Sequence, residues 1–341
     1  MNFLNNRLLK KASLRIGISV VLGLLPLLVK SEYLTHIMIT IGLYIVLSLS
    51  LNLVSGYTGQ LSLGHAAFYG IGAYVTALLM LKLQFPFWVA MLASGVITAF
   101  FGLILGLPAL RLQGDYLAIV TLGFGEIVRL VFLNWESLTR GPMGLPGIPS
   151  PEIGSLVFNS KISFYYLIMV TMLITIIFMR RVAESELGLS LISVSLDEVA
   201  AEAVGVNTLR AKLLAFTMSA FFAGIAGSFY ATYISFVSPD SFTFMDSVTI
   251  LAMVVLGGLA SIPGTIIGAI LLALAPELLR SMADYRMVLY GAVMVAMMIF
   301  KPDGFWGAKK RVRNAIRKDL DGRGLLANRE EAAWHERYEN A

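Results

Sequence analysis

The chain has 341 residues, of which 57% are hydrophobic and 14% are charged, and its mean hydropathy is +0.80. This composition excludes an ordinary soluble domain and predicts an all-α polytopic membrane protein. The formal net charge of +5 arises at the chain ends, since residues 1–15 carry four basic residues and no acidic one. We interpret these basic residues as signals of membrane orientation and expect no nucleic-acid partner. The absence of cysteine excludes disulfides, thiolate metal sites and a cysteine nucleophile.

Apolar runs long enough to cross the lipid bilayer recur along the chain. Ten spans are predicted, at residues 14–30, 34–54, 61–81, 86–107, 115–133, 163–180, 213–235, 246–260, 262–279 and 285–300. No small-residue cleavage site follows the first run, so we interpret it as a retained span. With ten spans, every cluster of Lys and Arg falls on the same side of the membrane. The pattern therefore predicts about ten transmembrane helices with both chain ends in the cytoplasm.

The predicted organisation has three parts: a basic cytoplasmic N-terminus (1–15), a transmembrane domain (16–307) and a charged cytoplasmic tail (308–341). The longest outside loop, 134–162, holds four prolines, which predicts order imposed by proline rather than by helix. This loop is either an external docking surface or a passive connector. The basic part of the tail is interpreted as an orientation signal that lies against anionic lipid.

A polar segment, residues 181–212, interrupts the apolar runs on the cytoplasmic side. Ser195 is predicted to cap a helix with Glu198 in a capping box, and Gly205 suits the left-handed position that ends a helix. The spacing places four apolar residues on one face of this predicted helix and three residues, two of them acidic, on the other. The apolar set is Leu196, Val199, Ala200 and Ala203, and the opposite set is Asp197, Ala201 and Glu202. A helix of about ten residues is marginal alone and needs a partner surface.

Two spans are interrupted by glycine and polar residues, at 52–72 and 256–268. Broken backbone at membrane depth is tolerated where it is buried in protein or lines a cavity, as in transport paths. We therefore expect Gly56, Gln60, Ser62 and His65 to line or support a translocation path, while close helix packing is the alternative for each glycine. His65 has no second histidine or carboxylate at ligand spacing, so we expect a hydrogen-bonded histidine and no metal site.

Glu126 and Arg129 are three residues apart within a span, which predicts an intramembrane ion pair, with a role in a substrate or proton path as the alternative. The chain contains no P-loop, HExxH or GxSxG motif. We therefore expect a protein that is not an enzyme and has no cofactor of its own, so that any nucleotide energy comes from another subunit. A membrane-embedded enzyme would need a catalytic pair, which His65 and the paired Glu126 do not supply.

Three motifs together resemble one family, the M-type inner-membrane permease subunit of bacterial ABC importers for branched-chain amino acids. They are LVSGYTGQLSLGHAAFYGIGAY (53–74), LRLQGDYLAIVTLGFGEIVRLVFLNWESLTRGPMGLPGIP (110–149) and DEVAAEAVGVNTLRAKLLAFTMSAFFAGIAG (197–227), and KPDGFWG (301–307) resembles the end of that domain. The resemblance covers about residues 35–307. Members usually carry arginines near the positions of Leu189 and Ser195, and this chain has neither.

The resemblance implies the ABC-importer permease fold and alternating access driven by ATP. The implied partners are an H-type permease in a heterodimer, two cytoplasmic ATPase subunits that bind ATP and Mg, and a periplasmic or lipid-anchored amino-acid-binding protein. Segment 195–207 would be the coupling helix. Its coupling residues would be Ser195, Asp197, Glu198, Ala201, Glu202, Gly205 and Asn207. The alternatives are an ABC permease for urea or short amides and a proton-coupled secondary transporter.

Overall fold

The computed structural model describes residues 31–109, 114–153 and 156–278, together with Gly291. These residues form a bundle of helices, as the composition predicts. The predicted span 14–30, and the span 285–300 apart from Gly291, lie outside the described residues. The predicted N-terminal segment 1–15 and the tail 308–341 also lie outside them.

The helices follow the predicted apolar runs, and glycine, proline and polar residues set their ends. They are α1 (Glu32–Asn52), α2 (His65–Lys82), α3 (Phe87–Ala109), α4 (Asp115–Asn134), α5 (Glu136–Thr139), α6 (Lys161–Ala183), α7 (Glu186–Leu196), α8 (Glu198–Ala203), α9 (Thr208–Ile234), α10 (Phe244–Gly257) and α11 (Ile262–Leu278). A π-helical turn, Leu53–Tyr57, continues α1, and two 3-10 turns lie at Gly141–Met143 and Pro239–Ser241.

Six helical stretches in the described part of the chain are long and apolar enough to cross a membrane. They are Glu32–Tyr57, Phe87–Leu107, Asp115–Asn134, Lys161–Ala183, Thr208–Ile234 and Pro239–Gly257. The predicted spans 61–81 and 262–279 correspond to α2 and α11, which do not belong to these six. Helix α11 begins only after an interrupted segment, at Ile262, and is therefore short, whereas α2 has 18 residues that include polar His65 and Lys82 and two tyrosines, which lower its hydropathy.

Helix α9 packs closely against α2 and α3 and also contacts α1. Small residues make this approach possible, because a Cβ on Gly72 would overlap the backbone of Gly224. The hydroxyl of Ser94 lies 2.9 Å from the carbonyl oxygen of Gly72, and Thr76 donates to Ser228 at 2.6 Å. In a membrane, where apolar surface alone does not drive helices together, such close contacts and hydrogen bonds stabilise the bundle.

The 27 residues of α9 extend over about 40 Å and separate two ends of the bundle. We call the end with α7, α8 and the start of α9 the docking end. The opposite end, here the sheet end, carries four two-residue strands in two antiparallel pairs, β1 with β4 and β2 with β3. The strands are β1 (Leu145–Pro146), β2 (Glu152–Ile153), β3 (Leu156–Val157) and β4 (Phe236–Val237).

The loop 134–162 lies at the sheet end and contains one turn of helix, α5, so the expectation of a loop without helix is wrong there. The physical reason is local hydrogen bonding. The hydroxyl of Thr139 donates to the carbonyl oxygens of Phe132 at 2.7 Å and Trp135 at 2.8 Å. These bonds fold the chain back onto the last turn of α4 before the first proline of the loop.

Candidate functional site

The polar segment between α6 and α9 forms two helices rather than one. Ser195 lies inside α7, where its hydroxyl donates to the carbonyl of Ile192 at 2.8 Å, so the prediction that Ser195 caps the docking helix is wrong. Asp197 caps α8 instead, because its backbone is extended and its carboxylate accepts from the Ala200 N–H at 3.0 Å. Helix α8 therefore begins at Glu198 and has six residues instead of about ten.

The end of α8 confirms the predicted glycine stop. Gly205 has a φ of +88°, and its N–H donates to the carbonyl of Glu202 at 2.9 Å. The next N–H, from Val206, donates to the carbonyl of Ala201 at 3.0 Å, which completes a Schellman motif. Asn207 then caps α9 by accepting from the Arg210 N–H at 2.9 Å. Short-range hydrogen bonds thus set where α8 begins and ends.

The contacts of α8 with the rest of the protein come from Glu198, Ala201 and Glu202, of which Ala201 and Glu202 belong to the face predicted to be polar. Ala201 is buried, and Glu198 accepts from the Nζ of Lys212 at 2.5 Å. Glu202 accepts from the hydroxyl of Thr208 at 2.6 Å. Both carboxylates are therefore bound by the first turns of α9, and Lys212, which is only 3% exposed in its side chain, is a partner that the sequence interpretation missed.

The apolar side chains around α8 remain exposed. Leu196, Val199 and Val204 are 75%, 76% and 80% exposed, and Leu189 on α7 is 68% exposed. We call these four residues the apolar docking patch. Since exposed large apolar side chains can mark interaction surfaces, these residues at the docking end are candidates for contact with another protein.

The two predicted interruptions meet inside the bundle. The side-chain oxygen of Asn52, at the end of α1, accepts from the N–H of Ala260, which precedes α11, at 3.0 Å. Gly56 lies in the π-helical turn beside this contact, where a Cβ would overlap both Asn52 and Ala260. Glycine is therefore required at 56 for close packing of the two broken segments.

The other predicted path residues are also buried. The Nε2 of His65 lies 2.8 Å from the hydroxyl of Ser50, so His65 is a hydrogen-bonded histidine as expected. Gln60 and Ser62 are 8% and 2% exposed, and the carbonyl oxygen of Gln60 has no hydrogen-bond partner among the described residues. These side chains belong to the packed interior in this conformation, and their role in a translocation path stays a prediction.

The first interruption also touches the docking end. Gly59, with a φ of +69°, lies so close to the end of α7 that a Cβ at Gly59 would be 3.3 Å from the Cβ of Ser195. On the other side of the interruption, the N–H of Leu63 donates to the hydroxyl of Thr121 in α4 at 3.0 Å. The broken segment is therefore in contact with both α7 and α4.

Glu126 and Arg129 are in direct contact on α4. The Nη2 and Nε of Arg129 donate to one oxygen, Oε1, of Glu126 at 2.6 Å and 2.9 Å. Asp240, in the 3-10 turn before α10, lies 3.9 Å from Nη1 of Arg129. The sequence interpretation missed Asp240 because it is far along the chain. Across the described residues, no group of three or more His, Asp or Glu side chains is arranged to hold a metal ion.

An apolar helical bundle with broken helices in its interior is typical of the class of membrane transport proteins. Residues 33–300 match the model of the family described as branched-chain amino acid transport system, permease component, and the chain belongs to that family. It is accordingly a multi-pass inner-membrane protein and a transport subunit rather than a catalytic one.

Several curated relatives support this assignment. The high-affinity branched-chain amino acid transport system permease protein LivM of Salmonella typhimurium is 41% identical over 285 residues, which are 77% of this chain and 67% of the relative. The LivM protein of Escherichia coli is 42% identical over the same shares. The LivH permease of Salmonella typhimurium is 26% identical over 79% of this chain and 93% of its own length. No solved structure matches this chain.

Proposed function

We propose that this chain is the permease subunit of an ATP-driven importer that moves branched-chain amino acids across the bacterial inner membrane by alternating access. The observation that carries the proposal is α8, a short helix that the chain itself anchors while its apolar side chains stay exposed. A six-residue helix anchored in this way is suited to transmit the movement of a bound partner protein to the rest of the permease. The docking end would then face the cytoplasm, where separate ATPase subunits work.

The contacts of α8 supply a route for mechanical coupling. Pressure on the apolar docking patch would act on the start of α9 through the Lys212–Glu198 pair. It would also act on the turn at Gly59 through the end of α7. Since this turn belongs to the first interruption, motion of the patch would reach the broken helices directly. Gly56, Gln60, Ser62 and His65 would support the part of the path that rearranges.

The proposal includes partners, since this chain supplies only a permease. A second permease subunit of the H type would form a heterodimer with it, in keeping with the separate LivM and LivH relatives. Two cytoplasmic ATPase subunits would bind ATP and Mg, and a periplasmic or lipid-anchored amino-acid-binding protein would deliver the substrate at the sheet end.

Reconstitution of the whole assembly in proteoliposomes tests this function. Wild-type chain should support ATP-driven uptake of leucine. Val199→Asp should abolish the uptake and its link to ATP hydrolysis, because it places a carboxylate in the docking patch without removing an internal contact. Met143→Asp is the matched control, since Met143 is 82% exposed but lies near the sheet end, and it should leave the coupling intact.

Three results would contradict the proposal. Leucine uptake by this chain without ATPase subunits would indicate a secondary transporter. Uptake of urea in place of leucine would show that the substrate belongs to another chemical class. Full coupling in the Val199→Asp assembly would remove α8 as the contact with the ATPase.

A further inference from the structure

Three charged side chains, Glu126, Arg129 and Asp240, form a cluster on a face of the bundle that is otherwise apolar. We propose that this charge cluster is an entry site that binds the ammonium and carboxylate groups of the transported amino acid. The proposal deepens the proposed function and rests on it, because it locates substrate recognition within this chain. It is argued from the depth, exposure and unused hydrogen-bonding capacity of the cluster.

The cluster lies inside a membrane span but near its sheet end. Helix α4 has 20 residues, Asp115–Asn134, which extend over about 30 Å. Arg129 lies five residues before the end of the helix, or about 8 Å along its axis, and Glu126 lies about 12 Å from that end. An amino acid arriving at the sheet end would therefore meet these charges early in its passage.

Because the charged side chains of the cluster are partly exposed at membrane depth, their surroundings must be polar. The side chains of Glu126 and Arg129 are 43% and 26% exposed, although their nearest exposed neighbours on α4 are apolar, Ile127 at 61% and Leu130 at 43%. A charged group at this depth is costly against lipid and is found facing water or other polar groups. The cluster is thus expected to border an aqueous passage rather than the hydrocarbon of the bilayer.

The hydrogen-bonding capacity of the cluster is only partly used. Arg129 directs two N–H groups to Oε1 of Glu126, and no hydrogen bond joins the second oxygen of Glu126 to any residue that the structure describes. Nη1 of Arg129 lies 3.9 Å from Asp240, beyond hydrogen-bonding distance, and the side chain of Asp240 is 80% exposed. The guanidinium of Arg129 thus lies between the carboxylates of Glu126 and Asp240, and all three groups keep hydrogen-bonding positions that a ligand can use.

These charges complement an amino acid. The Nη1 group of Arg129 suits an α-carboxylate, because a hydrogen bond between a guanidinium and a carboxylate is charge-assisted. The second oxygen of Glu126 and the carboxylate of Asp240 suit an α-ammonium. The cluster carries one positive and two negative charges, so its side chains can replace the water that the ammonium and carboxylate groups of the zwitterion lose on binding.

Space for an apolar side chain lies one turn along α4. Gly123 is three residues before Glu126, and a Cβ placed on Gly123 would meet no atom within 4 Å. Ile119, which is 65% exposed, precedes Gly123 on the same face of the helix, and Leu130 follows Glu126. A branched aliphatic side chain placed over Gly123 would lie against apolar surface of α4, which favours an apolar amino acid as the ligand.

The site is positioned to influence the broken helix. The buried side of α4 packs on the first interruption, where Thr121 accepts from Leu63 and Gly125, one turn before Arg129, lies beside Gly64. Asp240 belongs to the turn that leads into α10, which in turn leads to the second interruption. A ligand that contacts both Arg129 and Asp240 would connect α4 to this turn.

Cysteine labelling in the assembled transporter tests the proposal, because the chain has no native cysteine. Ile127→Cys is introduced in an assembly whose other subunits lack reactive cysteines, without the binding protein, and its reaction rate with a small thiol reagent is measured. Leucine should slow the reaction at least about fivefold, whereas leucinamide and isovalerate, which each lack one charged group, should not. Adding Arg129→Gln to the Ile127→Cys chain should abolish the protection. Val96→Cys on α3 is the matched control, since Val96 is also 61% exposed, and leucine should not change its rate.

Two outcomes would overturn the entry site. The first is an unchanged rate at Ile127→Cys at every leucine concentration up to the solubility limit. The second is a cysteine that reacts in the isolated chain and not in the assembly, which would make this face an interface with the second permease. Either result, together with ATP-driven leucine uptake by the wild-type assembly, would remove the entry site alone. No leucine uptake by the wild type would instead contradict the proposed function.

Discussion

The pair formed by Lys212 and Glu198 anchors the docking helix, and breaking it should detach α8 from α9. The side chain of Lys212 is 3% exposed and that of Glu198 is 26% exposed, with Nζ and Oε1 2.5 Å apart. Removing one partner of a fully buried pair costs about 3–5 kcal/mol. Because Glu198 is partly exposed, we expect the lower end, about 3 kcal/mol, for Lys212→Met or Glu198→Gln.

This loss of free energy shifts the local equilibrium between the anchored and the detached state of α8. A loss of about 3 kcal/mol raises the population of the detached state by roughly a hundredfold, since each 1.4 kcal/mol corresponds to a factor of ten. Helix α8 keeps other ties to the protein, among them the bond from Thr208 to Glu202 and the burial of Ala201. We therefore expect detachment of α8 while the membrane helices stay folded.

Hydrogen exchange measured by mass spectrometry in detergent checks this expectation. Backbone amides of residues 198–206 should exchange faster in each single variant, while amides of α9 beyond its first two turns should keep their protection. The double variant Lys212→Met with Glu198→Gln should recover most of the protection, because it leaves no buried charge without a partner. Unchanged exchange in both single variants would refute the anchoring role, and equal effects in the single and double variants would refute the charge-pair explanation.

Two further substitutions follow from backbone geometry. Gly56→Ala should lower the melting temperature in detergent and reduce uptake, because its Cβ overlaps Asn52 and Ala260 and overpacking costs about 1–3 kcal/mol. Gly123→Ala, which has free space, is the stability control, and equal melting of the two variants would contradict the packing argument. Gly205→Ala should cost about 1–2 kcal/mol because Gly205 has a φ of +88°. Gly205→Asn should cost less, because asparagine tolerates this backbone conformation better than alanine does. If the amides at the end of α8 exchange in Gly205→Ala as slowly as in the wild type, the argument from backbone strain is contradicted.

Local signals in the sequence predicted the helices and several of their ends. Apolar runs located the membrane helices within the described residues, and the glycine at 205 ended α8 as expected. The start of α8 was misplaced because both Ser195 and Asp197 are good capping residues and two positions separate them. Ser195 continues α7, whose length was not evident from the spacing of apolar residues.

The direction in which α8 faces was also not predictable from its own periodicity. The spacing separated an apolar side from a polar side, and the usual expectation buries the apolar one. The structure instead buries Ala201 of the other side and leaves Leu196 and Val199 exposed, while Lys212 and Thr208 supply partners for Glu198 and Glu202. Those partners lie on the following helix, α9, so they can be identified only once the packing of α9 against α8 is known.

The sequence by itself therefore determined that this protein is a helical membrane permease with two broken helices and a short polar segment between spans. Such features depend on hydrophobic runs, glycines and caps, which act over a few neighbouring residues. The tertiary structure decided that Asn52 meets Ala260, that Lys212 holds Glu198, and that Asp240 lies beside Arg129. These contacts join residues distant along the chain, and their formation depends on how the helices pack.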